Sequence, residues 1–159
     1  MRHLPLLLAL LAAPLAGHAE TLLGRVVAVD DGDRLVLQVE HQRQRIALAG
    51  IDAPEKVQPF AAQARANLGA LAFQRTASAE CSGHDPGGRR LCKVFVGGED
   101  LGLRQLADGM AWWRRPDAAR MSAEDRAAYE RAETLAKLRR LGLWAQKNPQ
   151  PPQDWRRLY

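Results

Sequence analysis

Val26-Val27-Ala28-Val29-Asp30-Asp31-Gly32-Asp33-Arg34-Leu35-Val36-Leu37 is the stretch whose reading decides the fold. Two aliphatic, β-branched runs flank Asp31-Gly32. That pattern predicts a β-hairpin, with glycine supplying a positive φ and aspartate tolerating the tight corner. The acids are answered some twenty residues later by Asp52-Ala53-Pro54-Glu55, at the end of the next aliphatic run. Taken singly, each cluster is ordinary: one is a turn, the other a strand-to-helix junction whose dipole favours acids. Taken together, Asp33, Asp52 and Glu55 offer hard oxygen ligands and no softer partner, a donor set for Ca²⁺ or Mg²⁺ rather than Zn²⁺.

Working outward, residues 24–29, 34–39 and 44–51 read as three sequential strands with short turns, a meander. In the third, Ile46, Leu48 and Gly50 alternate with Arg45, Ala47, Ala49 and Ile51. The period then changes. Phe60, Ala64, Leu68 and Leu71 mark one face of a helix over 59–73, with Pro59 in its first turn. Residues 76–82 and 90–96 read as a second strand pair around a Gly/Pro-rich loop. Asp100 is placed to cap a short helix stopped by Gly109. Ser122 starts the last helix, with Ala128, Tyr129, Ala132, Leu135 and Leu138 as its apolar stripe and Gly142 as its stop. Five strands with a helix inserted after the third predict an α+β fold: a five-stranded OB-type Greek-key barrel with three packed α-helices. The domain is expected over residues 20–147, followed by a Pro/Gln-rich tail over 148–159.

The first nineteen residues read as a separate object. Arg2 and His3 precede an apolar run interrupted by Pro5 and Pro14, and Gly17-His18-Ala19 puts small residues where a signal peptidase reads. The run is short for a membrane anchor, so export to the periplasm or the exterior is expected. Removing it takes Arg2 and no acid from the 23 basic and 18 acidic side chains of the 159-residue chain, which stays basic. A chain of that length buries a real core in one domain, and a monomer is expected. Its charge suits a polyanionic partner. Cys81 and Cys92, an even pair in an exported chain, read as one disulfide worth about 2–3 kcal/mol. After the first nineteen residues only His41 and His84 remain as histidines, without zinc-ligand spacing to the cysteines.

Several segments carry a resemblance. Val29-Asp30-Asp31-Gly32-Asp33-Arg34-Leu35, Leu48-Ala49-Gly50-Ile51-Asp52-Ala53-Pro54-Glu55, Gly88-Arg89-Arg90-Leu91-Cys92-Lys93-Val94-Phe95-Val96 and Leu106-Ala107-Asp108-Gly109-Met110-Ala111-Trp112 resemble the staphylococcal nuclease (thermonuclease) family. Gly142-Leu143-Trp144 followed by Trp155-Arg156-Arg157 looks like its exported bacterial branch. The resemblance implies a Ca²⁺-dependent phosphodiesterase cutting DNA and RNA, with single strands preferred. By position, Asp33, Asp52 and the Ala53 backbone carbonyl would be metal ligands, supported by Asp31 from outside the ligand set. Glu55 would be the general base and Arg89 the phosphate-binding cation.

The sequence also departs from the family. The second catalytic arginine, five residues before the ligand aspartate, is replaced by Ala47. Arg45 lies on the same strand face but about 7 Å away along the strand. Losing such a donor commonly costs about 10²–10³ in rate, so a slowed enzyme is expected. Arg34 stands where the family has threonine, Gly87 where it has an aromatic residue, and Arg115 near an expected tyrosine. Trp112, Trp113, Arg114 and Arg115 form an aromatic-basic cluster that can stack a base and hold a phosphate, or else pack as core tryptophan beside surface arginine. The alternative function is an OB-type nucleic-acid-binding or interaction module without chemistry. A weaker third reading, a structural envelope protein, rests on the tail.

Overall fold

The structure, a computed structural model, describes residues 20–158, so the expected signal peptide lies outside the described residues. Strand β1 (Glu20–Asp31) is longer than expected, β2 (Arg34–Val39) is as expected, and β3 (Gln42–Leu48) ends early. The chain breaks at Gly50, in the left-handed region, and a separate short strand β4 (Ile51–Asp52) follows. Helix α1 (Ala61–Ala72) comes next, then β5 (Thr76–His84), β6 (Arg90–Val96) and β7 (Glu99–Asp100). After them lie α2 (Leu101–Ala107), β8 (Trp112–Trp113), a 3-10 turn at Arg115–Arg120, α3 (Ala123–Leu138), a second 3-10 turn at Gly142–Ala145 and α4 (Pro152–Leu158).

β1 pairs antiparallel with β2 and β5, β2 with β3, and β5 with β6. A parallel pairing of Ile46, Ala47 and Leu48 with Arg90, Leu91 and Cys92 closes the sheet into a five-stranded barrel. Closure satisfies the strand edges that an open sheet would leave bare. Val26, Leu37, Ile46 and Val94 fill the interior, each fully buried, and Leu68 and Ala72 of α1 join the same core. Four α-helices surround the barrel among the described residues, one more than expected. The addition is α4, inside the segment read as a tail. Cys81 and Cys92 face each other across β5 and β6 and form the expected disulfide.

Three local expectations are corrected. The β1–β2 loop is Gly32-Asp33, between paired Asp31 and Arg34, and Gly32 does not adopt positive φ. It is glycine for lack of space: a Cβ there would lie 2.6 Å from the Ala64 Cβ and 2.8 Å from that of Ala53. Pro59 precedes α1 rather than opening it, because Phe60 takes a left-handed conformation at the N-cap. On α3 the buried side chains are Tyr129, Glu133 and Ala136, whereas Leu135 and Leu138 are exposed. Glu133 is buried because it accepts from the Trp113 N–H at 3.0 Å and pairs with Arg115 and Lys137.

The end of α3 is set by Arg140, in the left-handed region, with Arg140 N–H donating to Lys137 and Leu141 N–H to Ala136. That is a Schellman closure with arginine in the usual glycine position. Gly142 does a different job. Its backbone lies against Gly109, so closely that a Cβ on either would come within 2.3 Å of the other segment's carbonyl oxygen. Gly109 also holds φ +69°. Gly109→Ala is therefore expected to cost about 1–3 kcal/mol, read as a lowered Tm, because strain and collision act together.

Candidate active site

The hairpin turn is held from three directions. Gln105, fully buried, donates to the Gly32 carbonyl at 2.6 Å and to that of Ala64 at 3.0 Å. The Leu48 N–H donates to the Asp33 carbonyl at 2.8 Å, tying the turn to the end of β3. The Ala53 N–H donates to the Asp33 carboxylate at 2.9 Å. Since Ala53 directly follows Asp52, that last bond sets the two acidic clusters side by side. Asp31 turns back on the same loop, accepting from the Asp33 N–H at 3.3 Å and from the Arg34 guanidinium at 3.0 Å.

Burial pushes the Asp33 carboxyl well above the usual carboxylate range, and its hydrogen bond and repulsion with Asp31 add to this. The Ala53 N–H and Arg34, 3.5 Å away, offset only part of the cost. Arg89 lines the same cavity as Asp33, and its Nε donates to Asp85 at 2.6 Å. Asp85 also accepts from the Gly87 and Arg89 N–H groups at 2.9 Å, so the Gly/Pro-rich loop wraps one carboxylate. Burial alone would raise the Asp85 carboxyl; those bonds outweigh it and hold it below the usual range. Asp33, Asp52, Ala47 and Arg89 all line one cavity of about 840 Å³.

The tail reaches this cavity. Arg156 of α4 donates to both carboxylate oxygens of Asp52, at 3.3 and 2.9 Å, and pairs with Glu55. The hydrogen bond to Asp52, then that to Glu55, holds its guanidinium above the ordinary arginine range. Gln58 links the two segments: its side chain accepts from the Glu55 N–H at 3.0 Å and donates to the Gln150 carbonyl at 2.6 Å.

The other expected residues divide. Arg34 and Arg114 line the cavity, Arg34 against Asp31 and Asp33, Arg114 against Asp117 at 3.1 Å. Arg45 lines a neighbouring cavity of about 650 Å³ instead, with Arg34, Lys56, Arg65 and Arg89. Trp112 and Trp113 are buried and line neither cavity, which corrects the base-stacking expectation. β8 pairs them with β4, Trp112 opposite Asp52, and Trp112 packs edge-on against Trp144 at 5.4 Å. Arg115 lies over the Trp113 ring and pairs with Glu133, away from the cavity. Asp117 and Gln105 escaped the sequence reading, because neither stands in a motif: buried Asp117 accepts from the Gly50 N–H at 3.2 Å and so holds the break before β4.

Among the described residues, no three acidic, histidine or cysteine side chains converge as a ready-made ion cage. The donor chemistry fits a hard divalent cation nonetheless: Asp33 is a desolvated carboxylate that the Ala53 N–H and Arg34 compensate only in part, and Asp31 beside it adds further carboxylate oxygens. An OB-type barrel that gathers acids at a turn and sets a guanidinium across the same cavity has the makings of a phosphodiester hydrolase. The sequence model described as "Staphylococcal nuclease homologue" matches residues 45–146, and the chain belongs to that family. It is similar to an uncharacterized endonuclease of Haemophilus influenzae, 34% identical over 134 residues covering 84% of this chain and 72% of that protein. It is also similar to a micrococcal nuclease of Shigella flexneri, 35% identical over 147 residues, covering 84% and 80%. The protein is a nuclease of the staphylococcal type.

Because folding raises the Asp33 pKa, the folded chain holds that proton more tightly than the unfolded one. This group's contribution to stability therefore falls as pH rises from the ordinary aspartate value through the raised one, and the ionised group is a net cost at neutral pH. Asp33→Asn keeps the acceptor for Ala53 and removes the charge. In EGTA it is expected to raise the Tm at pH 7, with the gain vanishing below about pH 4. A lower Tm at pH 7 would contradict the desolvation account.

Proposed function

We infer that the protein is an exported, Ca²⁺-dependent phosphodiesterase that hydrolyses DNA and RNA. The observation that carries this is the meeting of Asp33, Asp52 and Arg89 on one cavity, with Glu55 beside Asp52 through their common partner Arg156. Asp33, Asp52 and the Ala53 carbonyl would hold the cation, with Asp31 steadying the turn. When bound, it supplies positive charge against the anionic diester. The chain's own groups do the rest. Glu55 takes a proton from the attacking water. Oxygen bonds to phosphorus as the ester P–O bond breaks, and the leaving oxygen takes a proton from solvent water and departs as an alcohol. Arg89 forms two hydrogen bonds to phosphate oxygens at once, which lysine cannot do with the same geometry.

The neighbouring cavity extends the track. Arg34 and Arg89 border both cavities, and Arg45, Lys56 and Arg65 continue the positive wall beyond them. Successive phosphates of a single strand suit such a row, and no helix among the described residues is long and apolar enough to cross a membrane.

Cleavage of single-stranded DNA by the mature protein is expected to need Ca²⁺, to stop in EGTA and to fall at least 10²-fold in Glu55→Ala. Salt-sensitive binding without any Ca²⁺-dependent cleavage would instead favour the module without chemistry. Arg45→Ala combined with Lys56→Ala is expected to lower the slope of log affinity against log salt by about 2, measured by fluorescence anisotropy with a labelled oligonucleotide in EGTA.

A further inference from the structure

We propose that Arg156, delivered by α4, is the second phosphate-binding guanidinium of this site, standing in for the arginine that β3 lacks at Ala47. The proposal rests on the phosphodiesterase reading. Ala47 is a buried small residue on the wall of the larger cavity, and Arg156 lines that same cavity from the opposite end of the sequence. Arg45, the substitute nearest in sequence, opens into the neighbouring cavity. Arg34 pairs with Asp31 and Asp33 and Arg114 with Asp117, so neither pairs with the candidate base, and Arg120, on the same cavity, forms no ion pair with Asp52 or Glu55. Among the described residues, Arg156 is the one cation that forms ion pairs with both Asp52 and Glu55.

The delivery is built into the fold. Pro152 is buried where α4 starts, and the Asp154 and Trp155 N–H groups donate to the Pro151 carbonyl. Buried Gln58 clasps the approach to that helix and the Glu55 backbone together, so the arginine and the candidate base share one support. A guanidinium meets a carboxylate and a phosphate with the same two-bond fork. Arg156 now spends that fork on Asp52. A cation held by Asp52 would repel the guanidinium, and a diester entering beside Arg89 presents it with an equivalent pair of oxygens. In the resting site the same arginine balances two neighbouring acids that would otherwise repel each other.

The test uses the mature chain carrying Arg156→Ala, Arg156→Lys, or Arg156→Ala with Ala47→Arg. Three quantities are measured: turnover of a single-stranded oligonucleotide with Ca²⁺, Ca²⁺ affinity by calorimetry, and affinity for a labelled phosphorothioate dinucleotide in EGTA. Arg156→Ala is expected to lower turnover 10²–10³-fold and dinucleotide affinity about tenfold, with a small fall in Tm as Asp52 and Glu55 lose their shared counter-charge. Lysine recovers part of both, and Ala47→Arg restores both. Unchanged turnover and binding in Arg156→Ala would overturn the proposal. So would faster turnover with tighter Ca²⁺ binding, which would make the arginine a plug on the ion site, or a loss that Ala47→Arg leaves unrepaired. A wild-type protein without Ca²⁺-dependent cleavage would sink the phosphodiesterase reading instead, while the dinucleotide arm would still decide the role of Arg156.

Discussion

One hydrogen bond, from the Ala53 N–H to the Asp33 carboxylate, carries the rest of the site. It joins a hairpin turn to a strand end that lies twenty residues further on, and places two acids of like charge next to each other. That arrangement is unfavourable by itself: burial and the nearby Asp31 both oppose ionisation of Asp33. The barrel holds it because the turn cannot relax. Gly32 sits where no Cβ fits, Gln105 clamps its carbonyl, and Leu48 holds that of Asp33. A desolvated acid kept in place at a cost is what a cation-binding site needs, since the ion then recovers energy the fold has already spent.

The supporting residues are polar and buried rather than apolar. Asp117 fixes Gly50, Glu133 fixes Trp113, and Gln105 fixes the turn, each through a hydrogen bond to a backbone group. Asp117 and Glu133 hold the two ends of the short β4–β8 ladder, and the Trp112–Trp144 contact braces the strand paired with Asp52. Tyr129 extends the brace to α2, donating to Asp100, whose carboxylate also caps that helix; burial, then Asp100, keeps its phenol well above the ordinary tyrosine range. Core packing and site geometry are thus a single construction.

Charge is distributed to match. Acids occupy the turn and strand end, arginines occupy the rims, and both cavities are bordered by Arg34 and Arg89. An excess of basic over acidic side chains in the whole chain would say only that a polyanion is welcome. The placement of the arginines around the acids gathers that general preference at two adjoining cavities.

The hairpin, the five strands, the inserted helix, the Asp100 and Ser122 caps and the disulfide were legible in the sequence, because each depends on neighbours in the chain or on a repeating period. Motifs whose spacing survives without coordinates singled out Asp33, Asp52, Glu55 and Arg89, and the structure sets Asp33, Asp52 and Arg89 on one cavity. The burial of Trp112 and Trp113, the capping role of Arg140, the spatial demand at Gly32 and the arrival of Arg156 were decided by tertiary structure alone. Each depends on contacts between segments far apart in sequence, up to 104 residues in the case of Asp52 and Arg156, where no periodicity or local propensity reaches. A chain can announce which side chains it has available for chemistry; which of them meet is decided only when the barrel closes and its ends are brought back against it.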